Sequence, residues 1–76
     1  MKFKTLECVV LAKDVPEHGL RKGDVGAVVE TMPPDGLEVE FVAASGETVA
    51  LLTLSEKDVR HAAKDDILAA RPAKSA

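Results

Sequence analysis

Aromatic side chains are nearly missing from this chain: Phe3 and Phe41 are the only two in 76 residues, with no Trp or Tyr. Stacking platforms for bases and grooves for proline-rich peptides are built from aromatic faces, so both kinds of recognition lack their usual equipment here. Cysteine is as scarce. With Cys8 alone, no internal disulfide can form, and the cytoplasm is the default expectation. Long apolar runs are absent too. Lys2 and Lys4 precede an apolar stretch, but Glu7 interrupts it and Lys13 with Asp14 ends it, leaving a run too short for a secretory h-region or a membrane span. Positive charge is thin where the body of the fold should lie. Residues 7–54 hold nine acids against three bases, Lys13, Arg21 and Lys22, within a net charge of -3. A compact acidic body repels phosphate backbones and anionic lipid, so nucleic acid and membrane are both disfavoured as partners.

What is present describes one small globular domain. Hydrophobic residues make up 46% and charged residues 30% of the chain, a soluble balance. A domain of this size buries only roughly 60% of its unfolded surface, so the core is thin and stability marginal. The organising stretch is GLRKGDVGAVVE, residues 19–30, where Gly19, Gly23 and Gly26 join a polar loop to a strand. The chain is expected to turn tightly at Gly23 and to be approached closely at Gly26.

Read in order, residues 8–12 form a first strand covered on both faces. A long loop follows, with Val15 and Leu20 as apolar anchors and Val15-Pro16-Glu17-His18-Gly19 as its turn. Residues 25–31 form the second strand, which ends at Met32-Pro33-Pro34-Asp35-Gly36. In the third strand Leu37, Val39 and Phe41 alternate with Glu38, Glu40 and Val42, one face in and one face out. Ala44-Ser45-Gly46-Glu47 is a second turn, and residues 48–54 form a fourth strand that is apolar on both faces.

Ser55 then caps a helical start, with Asp58 three residues on and Leu54 and Val59 as a staple. Two continuations fit: one helical turn before a last strand at residues 59–62, or a longer helix through Ile67 and Leu68, since Val59, Ala62, Ala63, Ile67 and Ala70 share a helical face. Residues 71–76, with Pro72, are expected to be mobile. Short strands and glycine turns without an early helical period favour an all-β fold, a five-stranded SH3-like barrel with a short 3₁₀ turn before its last strand. The domain is placed at residues 1–62, with a tail at 63–76 that is helical in part or disordered.

Lys22, Gly23, Gly26, Val28 and Val29 resemble the KOW motif of ribosomal and transcription-elongation proteins. That resemblance implies RNA contacts at Lys13, Arg21 and Lys22, although Asp14, Glu17 and Asp24 surround them and several phosphates demand several cations on one face. DVPEHGLRKGDVGAVVE, LEVEFV and GETVALLTL, in that order across residues 11–60, are similar to a bacterial family of small stand-alone proteins known only as a domain of unknown function. The likeness implies an SH3-like barrel and no established activity.

Chemistry-bearing residues are few. His18 beside Glu17 and near Asp14 and Asp24 is a candidate metal or acid-base cluster, but it reads better as a solvated loop. The paired spacings that metals favour do not occur, with His18, His61 and Cys8 scattered. Cys8 on an apolar strand is expected to be a small core residue. Ser45 and Ser55 belong to a turn and a cap. No catalytic residue, cofactor site or metal site is expected, and a thin core leaves little room for a closed pocket or a small-molecule substrate.

The fourth strand, through Val49, Leu51, Leu52 and Leu54, is the interaction candidate. Either the loop around Leu20 or the tail covers its second face, or a partner does. The expected function is a non-enzymatic protein-interaction module, with a protein partner or a homodimer. The alternative is a KOW-like RNA-binding module, and an enzyme using His18 and the loop carboxylates is a third reading.

Overall fold

A computed structural model describes residues 2–42 and 45–68. Ala44 of the second turn and residues 69–76, including the stretch expected to be mobile, lie outside the described residues, as do the side chains of Ile67 and Leu68. The strands are β1 (Cys8–Leu11), β2 (Val25–Met32), β3 (Gly36–Val42), β4 (Thr48–Ser55) and β5 (Val59–His61). A 3₁₀ turn, Glu56–Asp58, precedes β5, and a short helix, α1 (Lys64–Leu68), follows it. The chain therefore takes the first of the two continuations after Ser55. A further 3₁₀ turn, Pro16–His18, lies in the loop after β1.

All five strands form one antiparallel sheet in the order β4-β3-β2-β1-β5. The all-β, five-stranded expectation holds, but the sheet is not closed into a barrel: β4 and β5 end the order on opposite sides and do not pair. The reason is length. β5 gives one edge to its ladder with β1 from Val9↔His61 to Leu11↔Val59, and at three residues its other edge is too short to carry a second ladder, so only the 3₁₀ turn spans the gap back to β4. The sheet still wraps one core, because both edge strands add to a single cluster: Val9 and Leu11 from β1, Val28 from β2, Leu37, Val39 and Phe41 from β3, Ala50, Leu52 and Leu54 from β4, and Val59 from β5.

Two bulges supply curvature. Val28 faces Val39 while Glu30 faces Glu38, so Val29 is an extra residue in β2; Phe41 faces Ala50 while Val42 faces Thr48, so Val49 is extra in β4. Such insertions bend a strand and increase its twist. Phe3, ahead of β1, fills the core at 2% exposure, a placement that sequence reasoning missed although one of two aromatics is a strong core candidate.

The glycine-rich stretch works as expected at two positions. Gly23 has φ 98°, in the left-handed region, within a turn closed by the Asp24 amide donating to the Arg21 carbonyl. At Gly26 a Cβ would lie 2.8 Å from both Phe41 Cε1 and Val39 Cγ1. Val15 and Leu20 are buried anchors as expected, and each donates its amide to the other's carbonyl.

Cys8 corrects an expectation: it is exposed, not core. Its neighbours Val9, Val10 and Leu11 are all fully buried or nearly so. Val9 and Leu11 point into the core cluster, whereas Val10 lies outside it, beside Val25 of β2 and Arg60 of β5. Period two puts Cys8 on the side of Val10, at the end of the strand where nothing covers it.

Candidate functional site

The loop after β1 is held by its acids, which answer backbone donors. Asp14 Oδ1 accepts from the Lys22 amide at 2.8 Å, and the buried Asp24 accepts from the Arg21 amide at 2.9 Å through Oδ2. Two of the carboxylates that surrounded His18 in the sequence thus shape the loop, in the manner of side chains that complete turns. Arg21 and Lys22 ride on this turn with exposed side chains. Lys13 is directed elsewhere: its Nζ lies 3.5 Å from Asp58 Oδ1 in the 3₁₀ turn before β5. The three cations of the RNA alternative are therefore divided between an exposed turn and an ion pair.

Ser55 and Asp58 form the expected capping box. Asp58 accepts from the Ser55 amide at 2.9 Å, and Ser55 Oγ accepts from the Lys57 amide at 3.4 Å. This fixes the reversal from β4 to β5 and places Asp58 beside Lys13. Leu54 and Val59, the expected staple, both enter the core.

Between the loop and β4 runs an open cleft of about 410 Å³, lined by Lys13, Val15, Glu17 and His18 on one side, residues 51–54 of β4 on the other, and Asp58 at the turn. Two features that were separate in the sequence, the His18 loop and the fourth strand, meet here. The four residues proposed for partner binding divide. Leu52 and Leu54 are buried, Val49 is half-buried against the core, and Leu51 is 55% exposed. The strand's inner face is thus filled within the chain, and Leu51 carries the apolar character of the outer one.

Around Leu51 the outer face is polar and acidic. Leu51 stands opposite Glu40, and Thr53 opposite Glu38, on β3. Thr53 donates to Glu38 at 3.0 Å and Thr48 to Glu40 at 2.9 Å. Glu30 follows on β2, opposite Glu38.

A second cluster, which the sequence did not suggest, lies at the other end of the sheet. His61 Nδ1 is 2.6 Å from Glu7 Oε2, and its ring stacks on Phe3 with centroids 4.3 Å apart. Glu7 also accepts from the Lys4 amide at 3.0 Å, and that bond, followed by the one to His61, holds its carboxyl below the usual range. Next to it, the Arg60 guanidinium bonds both Asp66 oxygens at 2.7 and 2.8 Å. This pairing, with help from the Ala63 amide, holds Asp66 far below an ordinary carboxyl and raises Arg60. These are fastenings of the N-terminal arm and of α1 to β5. Residues 54 positions apart, such as Glu7 and His61, leave no local pattern to read.

Among the described residues, no group of three or more His, Cys, Asp or Glu is placed to hold a metal ion, and no helix is long and apolar enough to cross a membrane. The family model described as Domain of unknown function (DUF4926) matches residues 5–61, which takes in all five strands. No curated protein and no solved structure matches the chain.

Proposed function

The chain belongs to the DUF4926 family, and from its geometry we propose that it is a non-enzymatic protein-interaction module, an accessory partner of another bacterial protein in the cytoplasm, docking along β4. The observation that carries this reading is the exposed Leu51 on an edge strand whose outer side has no ladder among the described residues, beside an open cleft. Edge strands are surfaces that proteins either cover, charge or use. Here β4 reads TVALLTLS, with no Lys, Pro or acid to blunt the edge. The acidic setting of Arg21 and Lys22, and the pairing of Lys13 with Asp58, argue for protein over RNA.

The test is affinity capture from a bacterial lysate at physiological salt, with the wild-type chain and its Leu51→Glu variant as parallel baits and mass spectrometry as the readout. A protein recovered by the wild type and lost with the variant supports docking on β4. Identical recovery by both baits, or no protein with either, overturns it. A salt-sensitive RNA gel shift abolished by Arg21→Glu with Lys22→Glu would move the assignment to RNA.

A further inference from the structure

Among the described residues, the sheet order leaves β4 hydrogen-bonded on its β3 side alone. Among the described residues, no backbone bond from a loop or turn reaches residues 48–54 from the other side. Alternate N–H and C=O groups along this eight-residue strand therefore face outward without ladder partners. We infer that β4 takes up an extended segment of its partner as a sixth strand, and that this segment alternates apolar and basic side chains. The inference rests on the docking surface proposed above and specifies the chemistry of the occupant.

A strand laid along the β4 edge sends successive side chains to opposite faces. One set enters the cleft, where Val15, Leu52 and Leu54, all buried, supply the apolar lining among the polar Lys13, Glu17, His18 and Asp58. The other set crosses the outer face over Leu51 and Thr53, behind which Glu40 and Glu38 stand at the same levels. A lysine or arginine fits this second position, since its stem covers Leu51 while its charged head extends toward the glutamates. Charge also argues against a second copy as the occupant. Neither β3, GLEVEFV, nor β4, TVALLTLS, contains a Lys or Arg to answer the glutamates across a two-fold seam. Recognition by strand addition draws affinity from the backbone and selectivity from the alternate side chains.

The experiment pans a phage-displayed library of random dodecapeptides against the full chain, then titrates synthetic copies of the enriched peptides into the labelled protein while amide hydrogen exchange is followed by NMR. The expected winners lack proline and carry Lys or Arg in one register and Val, Ile or Leu in the other. They slow exchange of β4 amides tenfold or more. Proline at the centre of a winning peptide abolishes binding. Glu38→Gln with Glu40→Gln, which keeps acceptors for Thr53 and Thr48, weakens it at least tenfold.

Enriched peptides that are acidic or helical in period, protection on another strand, or no enrichment would overturn the inference. So would a concentration-dependent dimer that protects β4 without peptide. If Leu51→Glu abolishes partner capture while no peptide protects β4, docking on this face stands and strand addition fails.

Discussion

Gly26 and Phe41 touch so closely that no side chain fits between them: a Cβ on Gly26 would lie 2.8 Å from Phe41 Cε1 and 2.9 Å from the Glu40 carbonyl oxygen. The aromatic ring at the centre of the core thus lies against bare backbone of β2. Gly26→Ala is expected to cost about 1–3 kcal/mol, the usual penalty of overpacking, because the carbonyl is main chain and cannot swing away. Gly23→Ala meets open space but must hold φ 98°, and should cost about 1 kcal/mol. Urea denaturation of both variants, with unchanged slopes, checks the pair.

Leu6 has φ 74° and is 80% exposed. It occupies the left-handed position of a turn closed by the Glu7 amide donating to the Lys4 carbonyl. A leucine there bears strain with no packing in return, so Leu6→Gly should stabilise the fold by about 1 kcal/mol. Leu6→Val, with its branched Cβ, should move the melting temperature the opposite way.

The pH response follows from Glu7. Its carboxyl titrates below its ordinary 4.5 in the folded state, so the stabilisation is complete above that value and is lost as pH falls through the lower folded one. Glu7→Gln should therefore narrow its stability deficit against the wild type as the solution is acidified. Urea midpoints measured from pH 7 down to pH 3 read this directly.

Ser55 accepts a bond from the Lys57 amide at the start of the turn into β5. Ser55→Ala should lower stability by about 1 kcal/mol, as loss of a cap does. Because Asp58 still accepts the Ser55 amide, the fold should persist, and circular dichroism of the variant should match the wild type.

Leu37 and Leu51 give the contrast between core and surface on neighbouring strands. Leu37 is 0% exposed and Leu51 55%. Leu37→Ala should cost about 2–5 kcal/mol, whereas Leu51→Ala should stay within about 0.5 kcal/mol. Thermal melts separate them, and retained folding of Leu51 variants lets their binding defects be read as such.

Legibility in the sequence tracked how local each cause is. The alternation from Leu37 to Phe41 set β3, the glycine turns set the hairpins, and Ser55 with Asp58 announced the 3₁₀ turn, since each is a short-range pattern. The apolar pairs in β4 read as a strand whose second face is covered within the chain or by a partner, yet the bulge at Val49 and the position of β4 at the sheet's edge decide which leucine is left outside. Cys8 was misplaced because its exposure depends on what fails to cover the end of β1. The open sheet follows from the brevity of β5, and a three-residue strand hardly differs in pattern from a longer one.

Phe3 stacks on His61, so the two ends of the sheet domain adjoin. A unit whose entry and exit adjoin inserts into a host protein's loop through two short linkers, without prising that loop apart. By the same geometry, a peptide joining residues 3 and 61 would give a circularly permuted chain that can be reopened beside Gly46, leaving every ladder of the sheet intact.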